Sequence, residues 1–200
     1  MPKLYTKTGD KGLTSLYDGN RLPKGSVFFD VLGDIDELTS HIGMLSAILT
    51  EKKTDGDYTF LRVIQTKLMD ISSNIAVVDP GKKDTVPKLS SEDVYTIETL
   101  IDRFENATSL LTEFVLPGVT TADAYCHVCR AVTRRVERGM WRITKASGIQ
   151  KGKKDIDMST VEIDPIIHRF VNRLSDLFFA MTRYISDDKE IRLKDMREWD

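Results

Sequence analysis

Apolar residues recur at three- and four-residue steps through most of this chain, the spacing that lines one face of an α-helix. The pattern predicts five helices. The first runs from about Asp34 to Lys52, with Ile35, Leu38, Ile42, Leu45 and Leu49 on one face. The second runs from about Tyr58 to Val78 and carries Leu61, Ile64, Leu68, Ile71 and Ile75. A Pro-, Gly-, Lys- and Asp-rich loop over 79–89 follows. Ser90 or Ser91 then caps a third helix with Val94, Ile97, Ile101 and Phe104. The fourth spans about Thr121 to Ala146, with Tyr125, Val128, Val132, Val136 and Met140 as its apolar stripe. The fifth opens with Asp164 as cap and Pro165 in the first turn, the favoured arrangement, and carries Ile167, Phe170, Leu174, Phe178, Met181 and Ile185. No stretch of useful length alternates with the period of two that a strand requires. The expected fold is an all-α bundle of five helices, ferritin-like in outline, preceded by an ordered N-terminal loop segment.

Length changes the picture little. With 200 residues the chain reads as one domain: an N-terminal segment over 1–30, the bundle over 31–188 and a charged tail over 189–200. Charge changes it more. Lysine and arginine number 29 against 31 aspartates and glutamates, so no general basic field exists for nucleic acid or an anionic membrane. An anionic ligand must be held by a local cluster. No apolar run is long enough to span a bilayer, and the first residues lack the apolar core of a signal peptide. The expectation is a cytoplasmic chain, or the mature part of an organellar protein whose leader has been removed. Cys126 and Cys129 form a C-x-x-C pair, a spacing that serves redox or zinc sites. No second pair accompanies it and it lies inside a helix, so both read as small buried thiols.

Three segments are too polar and too patterned for plain bundle surface. The first is Thr6-Lys7-Thr8-Gly9-Asp10-Lys11-Gly12-Leu13-Thr14-Ser15, with Lys24 shortly after. Glycines let backbone amides approach a phosphate, hydroxyls donate hydrogen bonds and lysines supply charge. It lacks the Walker A pattern, and a solvated terminus is an equal reading of the residues alone. The second is the polar side of the fourth helix, where His127, Arg130, Arg134, Glu137 and Arg138 recur at helical spacing with Arg135 beside them. A run of arginines without lysine suits phosphate or paired carboxylates, and a solvated face is the plain alternative. The third is on the fifth helix, where Asn172, Ser175, Asp176 and Phe179 share a face away from the Leu174/Phe178 core stripe, either as a contact surface or as ordinary surface.

Taken together these blocks carry a resemblance. Tyr5 to Gly12, then Lys24, then Gly33-Asp34-Ile35-Asp36-Glu37-Leu38-Thr39-Ser40, is similar to the start of the PduO-type ATP:corrinoid adenosyltransferases. Leu116-Pro117-Gly118, Arg130 followed by Arg134-Arg135-Val136-Glu137-Arg138, and Asn172-Arg173-Leu174-Ser175-Asp176 continue the likeness in the same order, from residue 4 to about 185.

The resemblance implies a homotrimer of five-helix bundles with active sites between subunits. It implies that the chain moves the 5′-deoxyadenosyl group of ATP onto Co(I) of a corrinoid, giving adenosylcobalamin and triphosphate. Carried onto this sequence, Thr6, Lys7, Thr8, Gly9, Thr14, Ser15 and Lys24 hold the phosphates of ATP, with Mg2+ on the triphosphate and no protein ligand for the ion identified. Arg134, Arg135, Glu137, Arg138 and Asn172 complete the nucleotide site. Asp36 pairs with Arg130 across the subunit boundary, and Phe114 and Phe179 face the corrin. A corrinoid reductase and an adenosylcobalamin-dependent enzyme are the implied partners. The rival class is a helical scaffold or carrier that binds ATP and corrinoid without reacting them; paired Glu-x-x-His motifs for ferritin-like metal chemistry are absent. In place of a second glycine after Leu116-Pro117-Gly118 this chain has Val119, and its 147–160 loop is long for the family.

Overall fold

A computed structural model describes Tyr5 and residues 7–51, 57–147, 162–186, 189 and 191–192. The expected Thr6 contact, the 147–160 loop apart from Ser147, and most of the charged tail lie outside these. The elements are β1 (Leu13–Ser15), β2 (Arg21–Pro23), α1 (Val27–Glu51), α2 (Phe60–Ile75), a 3-10 turn (Pro80–Thr85), α3 (Ser91–Glu105), β3 (Val115–Leu116), α4 (Thr121–Ser147), α5 (Pro165–Ser186) and β4 (Ile191–Arg192). The five-helix bundle stands. The short strands form two antiparallel pairs, β1 with β2 and β3 with β4, each too brief to leave an alternating pattern in the sequence.

Side-chain contacts fix how the helices run. Val31, Asp34/Glu37 and His41 on α1 meet Gly139, Arg135 and Tyr125 on α4, so the two are antiparallel. Glu137 and Trp141 on α4 meet Asn172 and His168 on α5, again antiparallel. Glu98 and Phe104 on α3 meet Arg173 and Tyr184 on α5 in rising order, so α3 and α5 run parallel. α5 is buried along most of its length, including Ile167, Phe170, Leu174, Phe178 and Met181, and forms one wall of the single apolar core.

Local chemistry sets the helix ends. α1 starts at Val27, two turns before the expected Asp34: Ser26 caps it through Phe28 N–H to Oγ, and Phe28 and Val31 extend the buried stripe backwards. α2 ends at Ile75, short of Val78, where the Ala76 N–H turns back to the Ser72 carbonyl. Ser90 caps α3 in a reciprocal box with Asp93, and Asp164 caps α5 by accepting from Ile166 N–H at 2.9 Å.

The α4 stripe needs correction. Val128 is 39% exposed; Val132, Val136, Met140 and both cysteines are buried as expected, and Thr133 and Ile143 join them. The cysteines belong to the apolar set, as small hydrophobes do. Burial pushes both thiols up, Cys129 to about 12, so neither is a thiolate at neutral pH. The helix-five face is corrected likewise: Ser175 is buried, not exposed beside Asn172 and Asp176.

The N-terminal segment is anchored on the end of α2. Leu16 is buried, Tyr17 N–H donates to the Ala76 carbonyl at 3.0 Å, and Asp18 accepts from Val78 and Asp79 N–H at 2.8 and 2.9 Å. Partial burial raises the Asp18 carboxyl, but these amides and Asn20 outweigh it and hold the group below the usual range.

Gly139 is where α4 comes closest to α1. A Cβ there would lie 2.7 Å from Val31 Cγ2, a distance that forces the helices apart. Gly139→Val should lose about 1–3 kcal/mol to overpacking, outweighing the few tenths gained in helix propensity, and lower the melting temperature by several degrees. An unchanged melting curve would show that the seam is not packed this tightly.

Candidate active site

One end of the α4–α5 pair opens into a cavity of about 610 Å³, lined by Leu111, Thr112, Glu113, Phe114, Val115, Pro117, His127, Arg130 and Phe179. A cavity of this size accepts a drug-sized ligand or one edge of a larger planar one. Phe114 is 83% exposed on the loop before α4, so it does not plug the bundle's end within the chain. Phe179 is half-buried on the opposite wall, with the Arg130 guanidinium 5.5 Å over its ring and His127 edge-on at 6.3 Å. Burial, with Arg130 adding to it and Asp123 opposing, holds His127 below the ordinary imidazole range; it is a neutral wall group at pH 7.

The loop bearing Phe114 is tied down at both sides. β3, directly after Phe114, pairs with β4 through Val115–Arg192 and Leu116–Ile191, so the C-terminal segment returns to brace it. On the other side Asp123, buried in the first turn of α4, accepts from Thr120 N–H and, at 3.2 Å, from Gly118 N–H, while Thr120 Oγ1 accepts from Asp123 N–H at 3.1 Å. Gly118 takes φ +119°, open only to glycine at low cost, and Val119 has no positive φ. The Val119 departure is therefore accommodated without left-handed strain. The Thr120-x-x-Asp123 box is a legible sequence signal that the helix-four stripe obscured.

Along α4 the arginines divide. Arg134 and Arg138 are exposed and make no ion pair among the described residues; one helical turn separates them. Arg135 points the other way: its Nε donates to Asp34 Oδ1 at 2.9 Å and its Nη2 to Glu37. Glu37 also faces His41 Nε2 at 3.6 Å, and His41 Nδ1 shares a 2.9 Å hydrogen bond with the Tyr125 hydroxyl. Arg135 thus clamps α4 to α1, a role not separable in sequence from that of its neighbour Arg134. Asp36, on the exposed side of α1, makes no ion pair among the described residues, and the Arg130 guanidinium lies over the Phe179 ring without a carboxylate partner among them.

The α4–α5 seam carries a polar relay. Asn172 Nδ2 donates to Glu137 Oε1 at 3.1 Å, and Asn172 Oδ1 accepts from Arg173 Nη1 at 2.7 Å. Arg173 Nε in turn donates to Glu98 at 2.9 Å. Both ends of the Asn172 amide are fixed, which suits a residue that must present one orientation to a ligand.

In the N-terminal segment the Lys24 terminus packs over Gly9, where an added Cβ would meet Lys24 Nζ at 3.2 Å. Gly12 N–H bonds the Gly9 carbonyl and Lys24 N–H bonds the Gly12 carbonyl, at 3.1 and 2.9 Å. Lys7 sits at φ +59°, an unusual conformation for a side-chain-bearing residue. Arg21, which sequence reasoning passed over, donates to the Thr8 and Leu13 carbonyls and shapes the loop. The structure brings Gly9 and Lys24 together, with Lys7, Thr8 and Ser15 exposed and Thr14 partly covered on the same segment. Among the described residues no group of three or more His, Cys, Asp or Glu side chains is placed to hold a metal ion.

A helical bundle with an aromatic-walled cavity at one end, and two arginines without an ion pair among the described residues leading away from it, offers surfaces suited to a flat apolar ligand beside an anionic one. Residues 4–185 match the family model for cobalamin adenosyltransferase, and the chain belongs to that family. It is 38% identical over 185 residues to the corrinoid adenosyltransferase of Bacillus subtilis (strain 168), covering 92% of this chain and 86% of the relative. It is 34% identical over 190 residues to the human corrinoid adenosyltransferase MMAB, covering 92% and 69%. Among solved structures, a variant of the PduO-type ATP:corrinoid adenosyltransferase from Lactobacillus reuteri complexed with cobalamin and ATP superposes with a TM-score of 0.76 at 26% identity, covering 95% of both chains.

Removing the Asp123 carboxylate leaves two amide donors without their partner. Asp123→Ala should cost about 1–3 kcal/mol in stability and speed hydrogen exchange at Gly118 and Thr120 while α5 amides stay protected. Exchange that stays slow at both amides would remove Asp123 as the loop's anchor.

Proposed function

We propose that the chain transfers the 5′-deoxyadenosyl group of ATP to Co(I) of a corrinoid, and that the cavity between Phe114 and Phe179 receives the corrin ring. The observation that carries this reading is the pairing of an exposed Phe114 with a half-buried Phe179 across one cavity, one turn of α4 from the unpaired Arg134. The Co(I) lone pair forms the Co–C5′ bond as the C5′–O bond breaks, and triphosphate departs with that electron pair. The nucleophile comes with the substrate, so the protein needs no Ser/His or Cys/His pair. Its tasks are to align cobalt with C5′ and to neutralise the leaving group. Arg134 and Arg138 serve the second task, aided by Lys7, Lys24 and the Thr6, Thr8, Gly9, Thr14 and Ser15 segment. Asn172, oriented by Glu137 and Arg173, contacts the nucleoside. Arg135 enters as a positioning residue through its clamp on Asp34 and Glu37. Mg2+ travels on the triphosphate.

The site forms between subunits of a homotrimer in this reading. Support comes from three features: Asp36 is exposed and makes no ion pair among the described residues, Arg130 meets no carboxylate among them, and the N-terminal segment is anchored just beyond α2 at Ala76, Val78 and Asp79. An Asp36–Arg130 pair from different subunits supplies both missing partners. No described helix is long and apolar enough to cross a membrane. In this reading the protein works in the cytoplasm or, as a mature organellar protein, in an organelle, beside a corrinoid reductase and an enzyme that uses the product.

Phe114 supplies an apolar wedge beneath the corrin that excludes both the axial base and water. Losing that axial ligand lowers the cobalt orbital that accepts an electron. Phe114→Ala should keep ATP binding, lose the four-coordinate cob(II)alamin spectrum, and lose more activity in a reductase-coupled assay than with pre-reduced cob(I)alamin. Arg134→Ala should raise the apparent KM for ATP and lower turnover, about tenfold or more overall. Wild-type protein that binds ATP and cob(I)alamin yet forms no adenosylcobalamin would point instead to the carrier.

A further inference from the structure

Trp141 and His168 form a second aromatic feature, on the α4–α5 seam beyond Glu137 and Asn172. Their rings stack with centroids 4.1 Å apart and an interplanar angle of 26°. Trp141 is 50% exposed although its indole has one face covered by the imidazole. His168 Nδ1 is buried and, among the described residues, is the one buried side-chain nitrogen or oxygen without a hydrogen-bond partner. An imidazole in that setting serves as a flat apolar support. Burial outweighs the nearby Glu137 and holds it below the ordinary imidazole range, which keeps it neutral.

The position of this stack relates to the rest of the site. Arg134, Arg138 and Trp141 are spaced by four and three residues and lie in one row on α4, neighbours about 5–6 Å apart at Cβ. From Trp141 back to Glu137 is about 6 Å along the axis, and on to Arg134 about 4.5 Å more, at 1.5 Å per residue. Arg130 and the aromatic cavity follow one turn later. A nucleotide laid along that row has its base at Trp141, its ribose beside the Glu137–Asn172 pair, and its 5′ end directed toward Arg134 and the cavity.

We propose that Trp141, seated on His168, is the platform on which the purine base of the nucleotide stacks, and that it sets the enzyme's preference for a nucleoside triphosphate over bare triphosphate. This deepens the adenosyl-transfer reading and rests on it. Aromatic side chains hold bases through the π-face, and a platform already stacked on a second ring is fixed before the ligand arrives.

The chain has two tryptophans, Trp141 and Trp199, so a Trp199→Phe background isolates the platform's fluorescence. Saturating ATP should quench it, whereas tripolyphosphate should bind by calorimetry without quenching. Trp141→Leu should raise the Kd for ATP about tenfold and leave that for tripolyphosphate unchanged. His168→Phe should retain the ATP quench, and His168→Ala should weaken it. ATP that binds with ordinary affinity but leaves Trp141 fluorescence unchanged, or an equal loss for both ligands in a folded Trp141→Leu protein, overturns the platform alone. Wild-type protein that binds no ATP overturns the adenosyl-transfer reading and the platform with it.

Discussion

Helix α4 has to satisfy three surroundings at once, and the rest of the structure depends on how it does so. Its core side is built from small and medium residues, Cys126, Cys129, Thr133, Val136 and Gly139, which let it approach α1 until Gly139 meets Val31. Its α1 side carries Arg135, whose guanidinium bridges Asp34 and Glu37. Its remaining side is then free to hold Arg130, Arg134, Arg138 and Trp141 outward, while Glu137 reaches across to Asn172. A helix turning 100° per residue separates these roles cleanly. The clamp itself is half-exposed, so its energetic worth is small, and its value is in fixing rotation.

With α4 fixed, the two ends of the site follow from chain connectivity. The Thr120–Asp123 box starts the helix and also ties Gly118, so the loop that projects Phe114 starts from a defined point. The β3–β4 pair braces the same loop from the chain's far end. The N-terminal segment is anchored just beyond α2, where Asp18 accepts from the Val78 and Asp79 amides. Rigid elements carry the candidate site residues, and the loops between them are fastened by hydrogen bonds to backbone amides, an arrangement suited to catalysis by alignment.

Much of this was legible in the sequence. Helical periodicity gave five helices in the correct order, because amphipathic spacing is a strong signal over fifteen or more residues; the caps were read as Asp164 and as Ser90 or Ser91, of which Ser90 is the one used. The start of α1 was not, although Phe28 and Val31 continue its stripe; the Gly- and Lys-rich residues before them masked the turn. Val128 was misassigned because its four-residue spacing from the buried Val132 and Val136 looks like a continuation of their stripe, which a helix of about 3.6 residues per turn rotates outward. Four short strands left no pattern, since two or three residues cannot show a period. Among site residues, Phe114 and Phe179 line one cavity and Arg134 is exposed, whereas Arg135 pairing with α1 depends on a rotation of one residue. The Trp141–His168 stack joins residues 27 apart in sequence, a contact that spacing cannot reveal.

The central claim is that this chain makes a cobalt–carbon bond at C5′ of ATP. The direct measurement is a single turnover under anoxic conditions with ATP carrying 13C at C5′ and chemically reduced cob(I)alamin, followed by NMR. The 13C signal should move from the phosphate ester to a cobalt-bound methylene, with one tripolyphosphate released per corrinoid. A 13C signal that stays with intact ATP, or cleavage to ADP and phosphate, would contradict it.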